Sequence, residues 1–304
     1  MRILLAAAGL VLMYLGVVFL VSPGEPAASP QPWGIGGGVA VRPPEVSLAG
    51  GLYFKTYLWA RGDGGVVYLR CYVYSRYEGG NWLPATDDHT VLGVYSVTVG
   101  RGPFREGGAV NLTQPLMGDC VPVATPSVDR LQLGSIKVLA PGANLAASRT
   151  GLYVAYAGGR LGEVVTYYGP GDVPPSPDDL SLPPGLAGVL LAMARNITAG
   201  CGDVACKVER IREFLRGFTY DGTLDAPWPQ IPPGVDPLMW FFQNKRGVCV
   251  HFATAFVMLA RASGVEARLV VGYMSNGPVP GQWSLTAFSP HAWAEYYLPG
   301  VGWV

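Results

Sequence analysis

The sequence predicts an α+β protein in which a strand-rich segment precedes a segment of helices and strands. Residues 46–168 hold short runs rich in Tyr, Val, Leu and Thr between Gly, Pro, Asn and Asp, a texture typical of β-structure. Residues 186–262 instead carry apolar side chains at helical spacing, and residues 266–298 return to strand patterns. Helices and strands that are segregated in this way pack as helices on an antiparallel sheet.

The boundary between the two segments is marked by a dense group of prolines at positions 174, 175 and 177. Such a density suits neither a helix interior nor a central strand. The predicted organisation is a membrane anchor or signal, a linker, a β-rich domain and a mixed domain, at residues 1–21, 22–45, 46–171 and 172–304.

The N-terminus predicts export. Residues 3–21 are uncharged and largely apolar behind Arg2, and their length matches the roughly 20 residues that cross a bilayer as a helix. With Arg2 held in the cytoplasm, the body of the protein would lie outside the cell as that of a single-pass membrane protein. The alternative is a secretory signal that is cleaved near Ser29, which also exports the body. Residues 22–45 are rich in Pro, Gly, Ala and Ser and are predicted to form a linker.

Strands of the β-rich domain are predicted at residues 52–60, 66–74, 91–99, 131–139, 152–157 and 163–168. The first two flank an Arg-Gly-Asp-Gly-Gly segment at residues 61–65, whose Asp-Gly pair predicts a hairpin between them. The spacing of the rest favours an all-β sandwich or an open barrel.

The second domain begins with predicted helices at residues 186–199, 204–216, 236–242 and 249–262. Asp203 is placed to cap the second helix, Gly217 to end it, and Gly264 to end the last one. Strands are predicted to follow at residues 266–273, 282–288 and 291–298.

Cys249 begins the last predicted helix, directly after Gly247 and Val248. The unpaired N–H groups and the positive dipole end of a helix stabilise an anion, so this thiol is predicted to be shifted toward the nucleophilic thiolate. A cysteine at the start of an apolar helix is also a common small core residue. The position alone therefore leaves both interpretations open.

A general base for this thiol has to be one of three histidines, His89, His251 and His291. His291 begins a predicted strand, on which we expect it to face the thiol while Ala292 and Ala294 pack on the opposite side. His251 follows Cys249 by two positions, about 200° around the helix, and is predicted to point away and to be structural.

Zinc binding is a competing interpretation, because thiolate and imidazole are ordinary zinc ligands and Cys249, His251 and His291 could supply them. Positions i and i+2 of a helix do not share a face, however, and no fourth ligand stands at a recognisable spacing. We therefore expect no metal and no cofactor.

The motifs around Cys249 and His291 resemble those of the transglutaminase-like superfamily of papain-related thiol enzymes. They are Lys245-Arg246-Gly247-Val248-Cys249, His251-Phe252-Ala253, Ala267-Arg268-Leu269-Val270-Val271-Gly272-Tyr273, His291-Ala292-Trp293-Ala294-Glu295 and Gly302-Trp303-Val304. The resemblance implies a transglutaminase-like core in residues 172–304, behind an all-β domain and a transmembrane helix, as in membrane-anchored bacterial and archaeal members. Two departures are Val250, where close relatives carry an acidic residue, and the family's catalytic aspartate, which is expected beyond Val304, so that the domain is C-terminally incomplete.

The resemblance implies a cysteine peptidase or transglutaminase-like acyl transferase acting on a peptide or glutamine carboxamide. Cys249 is expected to attack the carbonyl, His291 to transfer the proton, and the Cys249 backbone N–H to bind the oxyanion. Water as acceptor gives hydrolysis and an amine gives cross-linking, and both stay open. The alternative from another class is an exported binding or scaffolding module with an inactive site.

The five cysteines suggest pairs plus one free thiol in an exported protein. Cys201 and Cys206 are close enough in sequence to pair, and Cys249 is left over. Cys71 and Cys120 could form a bond or remain two buried thiols.

Charge argues against nucleic acid as a partner. The chain has 21 Lys and Arg against 21 Asp and Glu, and it contains no basic run. We expect a protein or peptide substrate, and contact with the membrane through the N-terminal helix.

Overall fold

The structure is a computed structural model that describes residues 46–47 as backbone and residues 55–126, 132–171, 173–221 and 231–304 in full. No helix in these ranges has both the length and the apolar character required to cross a bilayer. The predicted anchor and linker, residues 1–45, lie outside the described residues.

Strands account for most of the regular structure. In the first part of the chain they are β1 Val46–Ser47, β2 Thr56–Arg61, β3 Tyr68–Tyr74, β4 Arg76–Glu78, β5 Asn81–Leu83, β6 Thr90–Val99, β7 Arg105–Asn111, β8 Cys120–Val121, β9 Val123–Thr125, β10 Ser135–Ser148, β11 Tyr153–Gly159 and β12 Glu163–Gly169. In the second part they are β13 Thr219–Tyr220, β14 Arg246–Gly247, β15 Ala267–Ser275, β16 Ser284–Leu298 and β17 Gly302–Trp303.

The helices are α1 Ala187–Ile197, α2 Val204–Arg216, α3 Pro237–Asn244 and α4 Cys249–Ala262, with a 3₁₀ turn at Pro177–Leu180. The cap signals read from the sequence act as expected on α2. The Asp203 carboxylate accepts from the Cys206 N–H at 2.7 Å, and Gly217 follows the last residue of the helix. The predicted bounds of α2 and α4 are confirmed.

A 12-stranded sheet joins the two predicted segments. Its order is β8-β11-β10-β12-β7-β2-β16-β15-β3-β9, with β6 also paired to β10 and β17 to β16. The antiparallel pair β15 and β16 thus lies between β2 and β3. Strands from both sides of the proline-rich boundary share this sheet, a connection that the sequence did not predict.

The prediction of a hairpin at residues 61–65 is wrong, because β15 and β16 lie between the two strands that it would join. β2 pairs with β16 and β7, whereas β3 pairs with β15 and β9, so the two strands are not neighbours. The loop between them instead bonds to the segment after β15, through Gly62 N–H to Pro280 O and Gly64 N–H to Val279 O, both 2.8 Å. The pair β15 and β16, which is distant in sequence, thus separates two strands that the local turn signal predicted to be neighbours.

Two further differences concern one strand that is longer than predicted and one that was not predicted. The strands predicted at 282–288 and 291–298 are one continuous strand, β16, which runs through Pro290. Pro290 faces Tyr273 in the β15 pairing, while the β2 pairing ends at Phe288, so the proline lies where one edge of β16 has no β2 partner. β7 was not predicted, because its two glycines weaken the strand signal.

α4 is the central helix of the second part. Ten of its residues are buried, including Val250, Ala253, Thr254 and Arg261, and it packs on β15, β16 and the other helices. A helix that is largely apolar on all sides is stable only in such an enclosed position.

The cysteine pairing is resolved in favour of two bonds. Cys71 is bonded to Cys120 and Cys201 to Cys206. Cys249 is the free thiol, as predicted.

Candidate active site

The segment before Cys249 is a tight connection between α3 and α4. α3 ends at Asn244 and is followed by Lys245, which adopts a left-handed conformation with φ 51°. Arg246–Gly247 then pairs in parallel with Thr219–Tyr220. A Cβ on Gly247 would lie 2.9 Å from the Cβ of His251 and 2.9 Å from the ring of Phe241. Glycine is needed there because the backbone passes this close to the first turn of α4.

His251 caps the helix that carries the thiol. It is fully buried, its ring stacks on Phe241, and its Nδ1 accepts a hydrogen bond from the Val248 N–H at 3.3 Å. This is the reach-back contact of a capping box. Burial lowers the pKa of His251 to about 4, so the ring is neutral and Nδ1 is free to accept. His251 does not line the cleft described below.

Cys249 and His291 line one cleft of about 640 Å³. Cys249 lies at the first position of α4, and His291 lies on β16, where its ring is near Tyr68 and stacked on Trp293 at 6.2 Å between centroids. The Ala292 N–H, next to the histidine, donates to the Cys249 sulfur. The helix start and the strand therefore meet at the thiol.

The rest of the cleft is mainly apolar. Its aromatic and aliphatic lining includes Tyr220, Phe252, Phe256, Trp293, Tyr296 and Val304. One wall is formed by Arg212 and Arg216 of α2, which pair with Glu209 at 3.6 and 3.0 Å. Among the described residues that line the cleft, these two arginines are the only Lys, Arg, Asp or Glu side chains.

The predicted faces of β16 need a correction. Ala292 and Ala294 were expected to pack away from the thiol, but both line the cleft with it. Their small side chains lie where α4 packs against β16, with Phe256 of the helix in contact with Tyr296. The alanines therefore serve close approach of the helix rather than packing on the far side.

The predicted lowering of the thiol pKa is wrong in its net direction. Burial raises the pKa of Cys249, and the N–H groups of Ala292 and Val250 and the Tyr220 hydroxyl only partly offset it. Burial also lowers the pKa of His291 to about 4. The two groups are therefore a neutral thiol and a neutral imidazole at pH 7.

Tyr220 is a residue of the cleft that sequence reasoning missed. Its hydroxyl lies within hydrogen-bonding reach of the Cys249 thiol. It precedes the cysteine by a long stretch of chain and stands on a two-residue strand, so no local pattern places it beside the thiol.

A buried ion cluster lies further along β16. The Glu295 carboxylate receives one guanidinium from Arg70 of β3 and another from Arg268 of β15, the latter at 3.0 Å. Arg70 also donates to the carbonyl groups of Gly151 and Leu152 at 2.8 and 2.9 Å. Burial alone would raise the pKa of Glu295, but the two arginines outweigh it and hold that pKa below its usual range.

The competing zinc interpretation requires a cluster of ligand side chains in the described ranges. They contain no group of three or more His, Cys, Asp or Glu side chains that could hold a metal ion. His251, the second ligand of the competing zinc interpretation, turns back toward Val248 instead.

Cys249 at the first turn of the buried helix α4 and His291 on the adjoining antiparallel strand β16 line one cleft, as the resemblance to papain-related thiol enzymes implies. Residues 191–304 match the profile of the Transglutaminase-like superfamily. This segment, a little over a third of the chain, is similar to that superfamily.

Two curated relatives share parts of this segment. YebA, an uncharacterized protein of Bacillus subtilis, is 31% identical over 137 residues, which is 41% of this chain and 18% of YebA. A protein-glutamine gamma-glutamyltransferase of Pseudomonas aeruginosa is 37% identical over 73 residues, 23% of this chain and 11% of that enzyme. The matches thus cover less than a fifth of either relative's length.

The solved structures extend the likeness beyond the matched segment. The periplasmic domain of TgpA from Pseudomonas aeruginosa superposes with a TM-score of 0.59 at 19% identity, covering 88% of this chain and 93% of that domain. Its ethylmercury-bound form gives a TM-score of 0.58. The mostly-β fold with a transglutaminase-like core is therefore shared, and the strands before residue 172 are included in that likeness.

Proposed function

We propose that this protein is an exported thiol-dependent acyl transferase that acts on peptide or glutamine carboxamide groups. The observation that carries the proposal is the meeting of Cys249 and His291 in one cleft at the start of α4. The superfamily contains cysteine peptidases and transglutaminases, and the Pseudomonas relative is named as a protein-glutamine gamma-glutamyltransferase, which supports the reaction class.

The resting charges decide how the reaction begins. Because thiol and imidazole are both neutral at pH 7, Cys249 attacks as His291 removes its proton, in one general-base step. The carbonyl oxygen then carries negative charge, which the Cys249 backbone N–H stabilises. The imidazolium returns the proton to the leaving amine, and water or a second amine accepts the acyl group.

A site outside the cytoplasm is part of the proposal. Two disulfide bonds suit an oxidising compartment. The TgpA domain with the same fold is periplasmic by name. We propose that residues 3–21 anchor the chain to the membrane, that the partner in the cleft is a protein or peptide, and that nucleic acid has no role.

The test is turnover of the full chain on a glutamine-containing peptide, followed as ammonia release and as incorporation of a primary amine. Cys249→Ala and His291→Ala should each abolish both signals, and the double variant should be no worse than either single one, because residues that act as a unit are not additive. Amine incorporation that accounts for most of the ammonia released would identify cross-linking, ammonia release without incorporation would identify hydrolysis of the carboxamide, and peptide cleavage would identify a peptidase.

His251→Gln is the matched control, since glutamine at this helix position can also accept from the preceding backbone N–H. We expect it to keep turnover in the fraction that remains folded. Activity that survives His291→Ala but not His251→Gln at an unchanged melting temperature would show that the base has been assigned wrongly.

A second candidate is an inactive binding module with the same fold. It is favoured by one observation, that no charged group among the described residues contributes to the pKa of His291. A histidine without an orienting carboxylate can lose about 10⁴ in turnover, as in the serine-protease example. Peptide binding in the cleft, without any acylation of Cys249, would select this candidate.

A further inference from the structure

The backbone ties Tyr220 to the segment that precedes the thiol. Tyr220 is opposite Gly247 in the parallel pairing of β13 and β14. Thr219 N–H donates to Lys245 O and Asp221 N–H donates to Gly247 O, both at 2.8 Å, and Asp221 also pairs with Arg246 at 2.7 Å. The position of Tyr220 relative to Cys249 is therefore fixed by contacts on both sides of it.

The Tyr220 hydroxyl is close to two atoms of Cys249. It is close enough to the sulfur and to the Cys249 backbone N–H for Tyr220 and Cys249 each to shift the pKa of the other. Its ring is held against Phe252 at 5.7 Å between centroids, while the residue stays 55% exposed along the cleft. A substrate that reaches the sulfur thus also reaches this hydroxyl.

This inference rests on the proposed acyl transfer. An acyl carbon bonded to the Cys249 sulfur carries its oxygen in the space beside the Cys249 N–H, and the phenol borders that space. We propose that Tyr220 is a catalytic residue whose hydroxyl donates a hydrogen bond to the oxyanion, as the side-chain partner of the Cys249 backbone N–H.

The chemistry of the step balances without proton transfer from the phenol. As the sulfur–carbon bond forms, the carbonyl π electrons move to oxygen, and Tyr220 keeps its proton while donating the hydrogen bond. When the tetrahedral intermediate collapses, the carbon–nitrogen bond breaks and the nitrogen takes the proton that His291 removed from the thiol.

A phenol suits this role because it stays protonated. Burial, together with the neighbouring Cys249, raises the pKa of Tyr220 to about 12. The O–H is therefore present throughout the pH range in which the thiol can react. A donor that develops no charge of its own also adds no repulsion when the thiolate forms.

Two other roles would account for the same contact. The hydroxyl could block the thiol, in which case its removal would speed every reaction of Cys249. Tyr220 could instead only pack against Phe252, in which case its removal would slow every reaction in proportion to the loss of folded protein.

The experiment compares two reactions of the same sulfur in Tyr220→Phe and in the wild-type full chain. 4-Nitrophenyl acetate acylates Cys249 through an oxyanion and releases 4-nitrophenolate, whereas iodoacetamide alkylates it by displacing iodide, with no oxyanion. Both adducts are followed by mass spectrometry at one pH. Their rate ratio separates stabilisation of the oxyanion from the accessibility of the thiol, because both reagents react with the same sulfur and only one reaction forms an oxyanion.

We expect Tyr220→Phe to lower the ratio of acylation to alkylation about 100-fold, the scale seen when one oxyanion donor is removed. Tyr296→Phe is the matched control, because Tyr296 lines the same cleft and its pKa carries no contribution from Cys249. Tyr296→Phe should leave the ratio of acylation to alkylation within about twofold of wild type, because it removes no oxyanion donor.

An unchanged ratio in Tyr220→Phe would overturn the assignment, and faster reaction with both reagents would replace it with the blocking role. Failure of the proposed function looks different. A wild-type protein that is alkylated but never acylated at Cys249 would remove both the acyl transfer and the Tyr220 role.

Discussion

Buried titratable groups have opposite charge states at two places along β16, the cleft and the ion cluster. At the cleft, burial raises the pKa of Cys249 and lowers that of His291, so both groups are neutral. Four positions after the histidine, Glu295 is at least as deeply buried, yet two arginines hold its pKa below the usual range and it is ionised. Burial alone favours neutral forms, and only paired charges survive it.

This difference in charge state suggests different roles for the two places, stability for the ion cluster and chemistry for the cleft. The charges of the ion cluster are committed to each other and join β3, β15 and β16. No charged group among the described residues contributes to the pKa of either neutral group in the cleft. A neutral pair also costs less to bury in an apolar cleft than two separate charges.

The largest expected effect comes from breaking the ion cluster with Glu295→Gln. This leaves Arg70 and Arg268 buried without their carboxylate, and loss of one member of such a pair costs about 3–5 kcal/mol of unfolding free energy. Urea unfolding at pH 7 measures it. The matched control is Glu106→Gln, whose ion pair with Arg61 at 2.7 Å is partly exposed and should contribute less than about 1 kcal/mol.

The same carboxylate predicts an acid-dependent loss of stability. Because the pKa of Glu295 is lower in the folded than in the unfolded chain, its contribution is present above the unfolded value of about 4.3 and is lost as pH falls through the folded value. Equal losses in Glu295→Gln and Glu106→Gln would contradict the view that the buried cluster holds this part of the sheet.

The next largest effect concerns the disulfides, one in each region. Cys71 adjoins Arg70 of the cluster and its bond to Cys120 spans 49 residues, whereas Cys201–Cys206, between the helices near the cleft, spans 5. Loop-closure entropy predicts that replacing the first pair by alanine costs about 4 kcal/mol and the second about 2 kcal/mol. Unfolding under non-reducing conditions compares the two double variants.

A cost for the second pair equal to or above that of the first would contradict this prediction. It would show that the short bond between α1 and α2 supports the cleft by fixing native geometry rather than by restricting the unfolded chain. Turnover of the Cys201→Ala and Cys206→Ala double variant would then fall with its stability.

What the sequence could predict here depended on local chemistry. Asp203 and Gly217 bounded α2 through capping groups that lie next to it in the chain, and the start of α4 at Cys249 was predicted from the glycine-containing loop that runs into an apolar segment. The insertion of β15 and β16 between β2 and β3 could not be predicted, because alternation of side chains shows which face is buried but not which strand pairs with it.

For the candidate site, too, the sequence predicted what local motifs carry and missed what tertiary contacts create. Cys249 and His291 were found from motifs, but the phenol of Tyr220 comes from a segment that meets the thiol only through tertiary structure. The direction of the thiol pKa was wrong because the helix start is a local feature, whereas the burial that outweighs it is created by β16 and the surrounding helices.

The smallest expected effect is on the pH dependence of Cys249 alkylation. With its pKa raised by burial, the thiol should react with iodoacetamide more slowly at pH 7 than a small free thiol of pKa about 8.5, and its profile should have a higher midpoint. N-acetylcysteine is the reference. His291→Gln should leave the midpoint in place, because a neutral imidazole contributes no charge at rest.

If the profile instead reached its plateau by pH 7 and His291→Gln moved the midpoint upward, the resting pair would be thiolate and imidazolium. The contrast between the cleft and the ion cluster would then disappear, since both would be held by paired charges.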